Sequence, residues 1–269
     1  MNAVPPKKKR SSRYNDIIEK IFFAHWKAGM KEFEFERTEI KAWADKLKIA
    51  VPDNVGDVLY SFRMRKSLPD SIRATEAKGL QWHIRLAGRS RYRFRLAKEN
   101  RIAPRAELIT IKVPDATPEL IASYALDDEQ ALLAIVRYNR LIDIFLGLTT
   151  YSLQNHLRTT AQGFGQVEID ELYVGIDTNG CHYVIPVQAK GGSDQISIVQ
   201  TEQDIAMCAE KFPGIKCRAI SVQFMEDSVV ALFELTVEDD EVRVVAERHY
   251  KLVPADELDE KAVRAYRNA

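Results

Sequence analysis

The sequence predicts an α/β protein in which a small domain of three helices and a β-hairpin precedes a larger domain built on a mixed β-sheet. The charge distribution and the order of helical and strand-like patterns both predict this division. Residues 1–105 contain 25 Lys and Arg against 12 Asp and Glu, whereas residues 106–269 contain 14 against 27. The net charge of zero therefore hides two parts that are expected to have different partners.

The composition is that of a globular chain. Of 269 residues, 46% are hydrophobic and 29% are charged, which is enough apolar material for a core without disulfides. No apolar run approaches the roughly 18 residues of a membrane span, and the basic N-terminus lacks the apolar stretch of a secretory signal. Cys181, Cys208 and Cys217 show no metal-binding spacing. We therefore expect a cytoplasmic protein that has no membrane partner.

Three helices are predicted in the first part. Residues 1–13, which include KKKR, are expected to form a solvated basic tail. The spacing of apolar residues predicts a first helix over residues 14–29, and Thr38 is the expected N-cap of a second helix. Asn54 is the expected cap of a third helix, which continues to residue 69.

A basic hairpin follows these helices. Residues 79–96 are typical of two strands around a turn at residues 87–90, and basic and apolar residues alternate along the second strand. Three helices followed by such a hairpin, or wing, is the order of a winged helix-turn-helix domain, predicted here over residues 14–98. The arginine fork suits both phosphate and guanine. The predicted DNA contacts are Arg63, Arg65, Lys66, Arg85, Arg89, Arg91, Arg93 and Arg95.

The rest of the chain is predicted to be a linker followed by an α/β domain. Residues 99–126 contain three prolines around one short strand and are expected to be the linker, so that the domain spans residues 127–269. Helices are expected at residues 127–148, 150–161 and 193–212. Three strands are predicted after the last of these helices, which together with the strands before it indicates a mixed sheet.

Two apolar strands before the third of these helices carry four polar side chains. Glu168 and Asp170 lie two residues apart on one strand, and Gln188 and Lys190 lie two apart on the next. If the loop is the three residues 178–180, ending in a left-handed glycine, Asp170 lies opposite Gln188 and Glu168 opposite Lys190. All four side chains then share one face. A four-residue loop would separate the pairs, and a bulge near Glu171 would also change the register.

The first interpretation of these side chains is a metal site. Asp170 and Glu168 offer the anionic oxygens that Mg²⁺ prefers, and the Gln188 carbonyl offers a neutral third oxygen. Lys190 would place an ammonium group beside the attacking water and the attacked phosphate. The second interpretation is an ordinary hairpin with an exposed salt bridge between Glu168 and Lys190. The apolar run VIPV favours a sheet covered on both faces, where charged groups need partners, and so favours the metal site.

The pattern resembles the PD-(D/E)XK nuclease superfamily, which includes many restriction endonucleases. Asp170 matches the motif aspartate, Gln188 the middle acidic position and Lys190 the lysine. Gln188 departs from the usual acid and removes one negative charge, for which Glu168 is expected to compensate. The resemblance covers about residues 127–225 and implies a restriction-endonuclease-like core that uses Mg²⁺, without deciding between one ion and two. The further acid on the preceding helix is not assigned, with Glu129 and Asp143 as the unsupported options.

Other residues near the hairpin are candidates for lining the site. Gln154, Asn155 and His156 precede the hairpin, and Gly191 follows Lys190, where the absence of a side chain allows DNA to approach the backbone. Gln200 and Gln203 on the next helix are expected either to face the site or to lie on an amphipathic surface. His156 is expected to contact DNA or to support the structure rather than to act as a base.

Together these features predict a Mg²⁺-dependent endonuclease, of a type II-like restriction kind, that hydrolyses phosphodiester bonds in double-stranded DNA. A homodimer is expected because one site cuts one strand, and the resemblance leaves room for a cognate methyltransferase. The alternative is a DNA-binding regulator without catalysis, in which the α/β domain is structural or dimerising. A narrower option keeps the nuclease but changes its substrate to a branched junction or RNA.

Overall fold

A computed structural model describes residues 14–52, 55–64, 67–88, 90–98, 102–124, 129–191, 196–238, 241–258 and 260–266. The chain divides into two compact units, Met1–Glu99 and Asn100–Ala269. The predicted tail, the predicted cap Asn54 and the predicted DNA contacts Arg65, Lys66 and Arg89 lie outside the described residues. Within those residues, no helix has both the length and the apolar character that a membrane crossing needs.

The first unit contains four described helices and three strands. In chain order they are α1 (Asn15–His25), β1 (Glu32–Glu36), α2 (Arg37–Leu47), α3 (Gly56–Met64), α4 (Asp70–Arg73), β2 (Leu80–Gly88) and β3 (Arg91–Lys98). The strands form one antiparallel sheet in the order β1-β3-β2. Apolar residues of all four helices pack with Trp82, Ile84 and Phe94 of the sheet in a single core.

Two predicted helix boundaries in this unit differ from the structure. Helix α2 begins two residues earlier than expected, because Glu36 rather than Thr38 is its N-cap. Glu36 and Glu39 form a capping box, in which the Glu36 backbone N–H donates to Glu39 Oε1 at 2.8 Å. Helix α3 ends at Met64 instead of continuing to residue 69, and Pro69 then precedes the separate short helix α4.

The second unit contains a larger sheet flanked by helices. Its elements are β4 (Thr110–Pro114), α5 (Glu119–Tyr124), α6 (Glu129–Tyr138), α7 (Leu141–Leu146), β5 (Thr149–Ala161), β6 (Gly165–Ile176), β7 (His182–Lys190), α8 (Ile198–Lys211), β8 (Lys216–Cys217), β9 (Ala219–Phe224), β10 (Val229–Glu238), β11 (Glu241–Val253) and α9 (Glu260–Ala265). The sheet runs β4-β11-β10-β9-β7-β6-β5, with β8 paired to β7. β7 is parallel to β9 and antiparallel to β6, so the sheet is mixed as predicted.

Helices cover both faces of this sheet. Leu132, Leu133 and Val136 of α6 pack with Val187 and Ala189 of β7 in one buried cluster. Met207 and Cys208 of α8 pack with Val184 of β7 and with Val167 and Ile169 of β6 in another. β7 is therefore covered on both sides, which explains its nearly continuous apolar sequence.

Three predicted elements of the second unit differ from the structure. The segment expected to be helical at residues 150–161 is strand β5, which pairs with β6 along its length and is rich in β-branched threonines. The helix expected over residues 127–148 is interrupted between α6 and α7, where Arg140 takes a left-handed conformation. The expected linker at residues 99–126 contributes β4, which pairs in parallel with β11 at the end of the sheet.

The hairpin of β6 and β7 has the register that the sequence predicts. Tyr173 pairs with Ile185 and Ile176 with His182, and the pairing ends at Glu171 and Val187, just before the predicted pairs of Asp170 with Gln188 and of Glu168 with Lys190. The loop closes through the Asp177 backbone N–H, which donates to the Cys181 carbonyl at 3.1 Å. Gly180 ends the three-residue loop with a φ of 81°, a left-handed conformation.

Gly180→Ala is expected to lower the free energy of unfolding by about 1 kcal/mol, because a side chain is strained in the left-handed region. Steric clash adds nothing, since a Cβ at this position would meet no atom within 4 Å. Chemical denaturation measures the difference. Asn179→Ala, at the exposed neighbouring loop position, is the control and should change stability little. Equal losses in the two variants would contradict the assigned turn.

Candidate active site

The Asp170 carboxylate lies against the backbone of β7. Its Oδ2 accepts a hydrogen bond from the Ala189 N–H at 2.8 Å. Ala189 lies between Gln188 and Lys190 in the sequence. Burial raises the pKa of the Asp170 carboxyl, while the Ala189 N–H and the charge of Lys190 oppose that rise. The geometry therefore joins the predicted motif aspartate to the predicted tripeptide through a direct contact.

The Gln188 amide is buried and fully engaged by the protein. Only 3% of the residue is exposed. Its Nε2 donates to the Glu168 carbonyl at 2.9 Å and to Asp204 Oδ2 at 2.8 Å, and its Oε1 accepts from Gln200 Nε2 at 2.7 Å. The oxygen that the sequence predicts as a metal ligand thus already receives a hydrogen bond from helix α8.

Asp204 is a buried acid that the sequence did not single out. It is 2% exposed, and among the described residues its Oδ1 has no hydrogen-bond partner. Burial raises the pKa of the Asp204 carboxyl well above its ordinary value. The negative charge of Asp170 raises this pKa further, whereas the hydrogen bond from Gln188 opposes the rise. Asp204 lies on the α8 turn after Gln200, four residues away, and this i, i+4 spacing is the sequence signal that could have identified it.

Glu168 and Lys190 do not form the salt bridge that the second interpretation required. The Glu168 carboxylate instead accepts from Arg158 Nη2 at 2.9 Å, on the neighbouring strand β5. Lys190 is half-buried, and its charge opposes the rise in the pKa of both Asp170 and Asp204.

The common face expected for the four side chains does not follow from simple alternation. Ile169 and Leu172 both pack in the cluster with Met207 of α8, although residues three apart lie on opposite faces of a regular strand. β6 is therefore irregular between them. The pairing of β5 with β6 also passes over His156 and Asp170, and His156 has a left-handed φ of 49°. The register between the two strands is nevertheless the same on both sides of this point, from Gln154 opposite Leu172 to Arg158 opposite Glu168.

The predicted site-lining residues are exposed on β5. Gln154, Asn155 and His156 all have solvent-exposed side chains, and the charge of His156 lowers the pKa of Asp170. Asn155 Oδ1 is 3.4 Å from Arg137 Nη2 of α6. Gly191 is half-buried, and among the described residues no atom lies within 4 Å of the position that a Cβ would take.

A second ion pair that was not predicted lies next to Asp170. Glu171 is fully buried, and its Oε1 accepts from Arg137 Nε at 2.8 Å and from Ser152 Oγ at 2.6 Å. Arg137 and Ser152 also line a cavity of about 270 Å³ between the helices and β5. Since the pair ties α6 to β5 and β6, we assign it a role in holding the strand that carries Asp170.

In the first unit, the wing arginines lie beside glutamates that the sequence analysis did not consider. β1 has the sequence EFEFE and pairs with β3, so that Glu34 lies opposite Arg93. Arg93 Nη2 is 2.6 Å from Glu34 Oε1, and Arg91 Nη1 is 3.7 Å from Glu34 Oε2. The hydrogen bond from Arg93 lowers the pKa of Glu34. Part of the positive charge predicted to face DNA is therefore neutralised within the sheet.

The other described DNA-contact candidates are Arg63 on α3, and Arg85 and Arg95 on the strands of the wing. All three are half-buried, with guanidinium groups partly withdrawn from solvent. The described candidates thus lie on α3, β2 and β3.

Asp170 and Asp204 are the two acids that contact Gln188 and Ala189 in the second unit. In the described part of the chain, no three His, Cys, Asp or Glu residues come together closely enough to bind a metal ion. Asp170 and Asp204 are two acids beside a neutral amide and a lysine. Mg²⁺ needs only one or two carboxylates when phosphate and water supply its remaining ligands, so the donor set fits Mg²⁺. The unpartnered Oδ1 of Asp204 supports this fit.

Without divalent cations, Asp204→Asn is expected to stabilise the protein near pH 8 by about 1–3 kcal/mol. The folded-state pKa of Asp204 lies above its unfolded value of about 4, so ionisation increasingly penalises folding as the pH rises above that value. The gain should therefore become small near pH ~3, below the unfolded-state pKa, where the acid is largely protonated in both states. Denaturation at the two pH values in the presence of a chelator measures it, with exposed Glu226→Gln as the control. A gain that is independent of pH would contradict the assignment.

Comparison with known proteins adds no assignment to this site. No protein-family model, no curated protein and no solved structure matches the chain. Any functional conclusion therefore depends on the chain's own residues and on their arrangement, namely the hairpin register, half-buried Asp170, buried Asp204 and the neighbouring lysine.

Proposed function

We propose that this protein is a Mg²⁺-dependent endonuclease, of a type II-like restriction kind, that hydrolyses phosphodiester bonds in double-stranded DNA. The observation that carries the proposal is the hydrogen bond from the Ala189 N–H to the Asp170 carboxylate. Ala189 lies between Gln188 and Lys190 in the sequence, and Gln188 also bonds to buried Asp204. The order helix, three antiparallel strands, helix and parallel strand around this contact supports the resemblance to the PD-(D/E)XK nucleases.

The residues of the site have distinct roles in this proposal. The Asp170 carboxylate holds the cation, and the Ala189 N–H fixes the orientation of that carboxylate. Bound Mg²⁺ would polarise a phosphoryl oxygen and activate the attacking water. Lys190 places a positive charge where negative charge develops on the attacked phosphate. Gly191 leaves the backbone open to the approach of the DNA strand.

The first unit supplies duplex binding in the proposal. The order helix, strand, three helices and two strands, with a β1-β3-β2 sheet, supports a winged helix-turn-helix domain. Its DNA contacts would come from Arg63 on α3 and from the wing arginines. Because one site cuts one strand, we also propose that a homodimer cuts both strands, and that a cognate methyltransferase protects the host DNA.

One observation favours the alternative, a DNA-binding regulator without catalysis. The Gln188 oxygen and the Glu168 carboxylate, two of the three metal ligands predicted from sequence, are both engaged by neighbouring side chains. A regulator would retain the arginines of the first unit and use this polar network only to hold the sheet and α8 together. Cleavage assays on site variants separate the two functions.

Lys190→Ala and Asp170→Asn are each expected to reduce Mg²⁺-dependent cleavage of mixed plasmid and phage DNA by at least about 100-fold, because each removes a charge that acts on the transition state. Fragment formation on gels, with and without Mg²⁺, measures the effect. Lys216→Ala removes an exposed lysine from neighbouring strand β8 and should cleave as the wild type does. A folded wild-type protein that shifts DNA on a gel but never cleaves it would support the regulator.

Glu34→Gln and Arg93→Ala are expected to change duplex affinity in opposite directions. Removing Glu34 frees the charge of Arg93 and should strengthen binding, whereas removing Arg93 should weaken binding and reduce the salt slope by about 1. Fluorescence anisotropy with a duplex at several salt concentrations measures both effects. Arg243→Ala, which removes an arginine from β11, controls for net charge. If neither variant changes the affinity, Arg93 does not contact phosphate.

A further inference from the structure

The motif position that usually carries a second acid holds an amide in this chain. Gln188 donates two hydrogen bonds and accepts one, so both ends of its amide are held by the protein. Glu168, which the sequence analysis expected to compensate, faces β5 and is paired with Arg158. The sequence predicted three ligands for the ion, Asp170, Gln188 and Glu168. Of these, only Asp170 is an acid without an ion-pair partner in the described structure.

A carboxylate oxygen without a partner lies on the other side of this amide. Asp204 Oδ2 accepts from Gln188 Nε2 at 2.8 Å, while its buried Oδ1 has no partner among the described residues. A buried carboxylate in this state needs either a proton or a cation, because desolvation of an unpaired charge costs far more than a lost hydrogen bond. Gln188, which bonds to this carboxyl group, is followed directly by Ala189, whose N–H bonds to Asp170, so both acids contact the same two residues of β7.

Resting on the endonuclease proposed above, we infer that Asp204 of α8 is the second carboxylate ligand of the Mg²⁺ site. Asp170 is the first ligand, and Gln188 is a positioning residue that holds Asp204 without binding the ion. The acidic oxygen that the tripeptide lacks is thus supplied from the helix that connects β7 with β9.

The hydrogen bonds around Gln188 explain how this arrangement is maintained. The amide carbonyl accepts from Gln200, one helical turn before Asp204, and this fixes which end of the amide points to the acid. The NH₂ end then donates to only one Asp204 oxygen and leaves the other available to a cation. A glutamate at position 188 would instead place two carboxylates in contact, at a cost from like-charge repulsion.

Mn²⁺ binding to the full-length protein tests the inference apart from activity. Mn²⁺ suits the same carboxylate and water ligands as Mg²⁺, and electron paramagnetic resonance measures its unbound fraction. Loss of a group that merely orients a ligand costs about 10- to 100-fold in metal affinity, so loss of a ligand should cost at least as much. We expect Asp204→Asn and Asp170→Asn each to weaken Mn²⁺ binding by at least about 10-fold, and Glu210→Gln to bind as the wild type does.

A second measurement does not depend on the folding yield of one variant. Mn²⁺ should raise the melting temperature of the wild type and of Glu210→Gln, but not that of Asp204→Asn, since a cation stabilises only the state that binds it. Because Asn retains the shape of Asp and an oxygen for the Gln188 hydrogen bond, the variant is expected to fold.

The outcomes separate this inference from the function on which it rests. If Asp204→Asn binds Mn²⁺ and cleaves DNA as the wild type does, while Asp170→Asn does neither, the role of Asp204 is overturned and the endonuclease stands. If the wild type neither binds Mn²⁺ nor cleaves DNA, both proposals are overturned. Parallel losses in the two aspartate variants, without loss in Glu210→Gln, support the inference.

Discussion

The buried amide of Gln188 is the interaction on which the arrangement of the second unit's site depends. The pairing of β6 with β7 ends at Glu171 and Val187, and beyond it the Gln188 side chain bonds to the backbone of β6 and to two residues of α8. Buried polar groups must find partners, so this amide holds a strand, its neighbour and a helix in one geometry. Asp170 and Lys190 take their positions around it.

The same network explains why the acids of the site are in unequal environments. Asp170 is half-buried and bonded to a backbone N–H, whereas Asp204 is almost fully buried and keeps one oxygen without a partner in the described structure. Burial raises the pKa of both groups, and the charge of Lys190 opposes it in both. The burial of these acids costs free energy because their charges lose solvation, and a divalent cation would offset that cost. Binding of the cation would therefore also stabilise this region of the fold.

Local patterns predicted the parts of the fold that depend on neighbours in the chain. The three-residue turn ending at Gly180 fixed the hairpin register, and alternation gave β3, β10 and β11. Patterns failed where distant pairing decides. β5 was taken for a helix because its sequence also fits helical spacing, and pairing with β6 makes it a strand. The glutamates of β1 neutralise arginines of β3 that lie about sixty residues later, a contact that no local window contains.

The sequence by itself determined the charge division, the hairpin and the choice of Asp170, Gln188 and Lys190, because each depends on residue type and on short-range spacing. Only the tertiary structure decided which of these groups are free to bind a cation. It directed Glu168 to Arg158, enclosed Gln188 among hydrogen bonds and brought Asp204 from α8 to the hairpin. The physical reason is that the environment of a carboxylate is set by the elements packed against it, and α8 reaches the hairpin only when β7 and β9 pair.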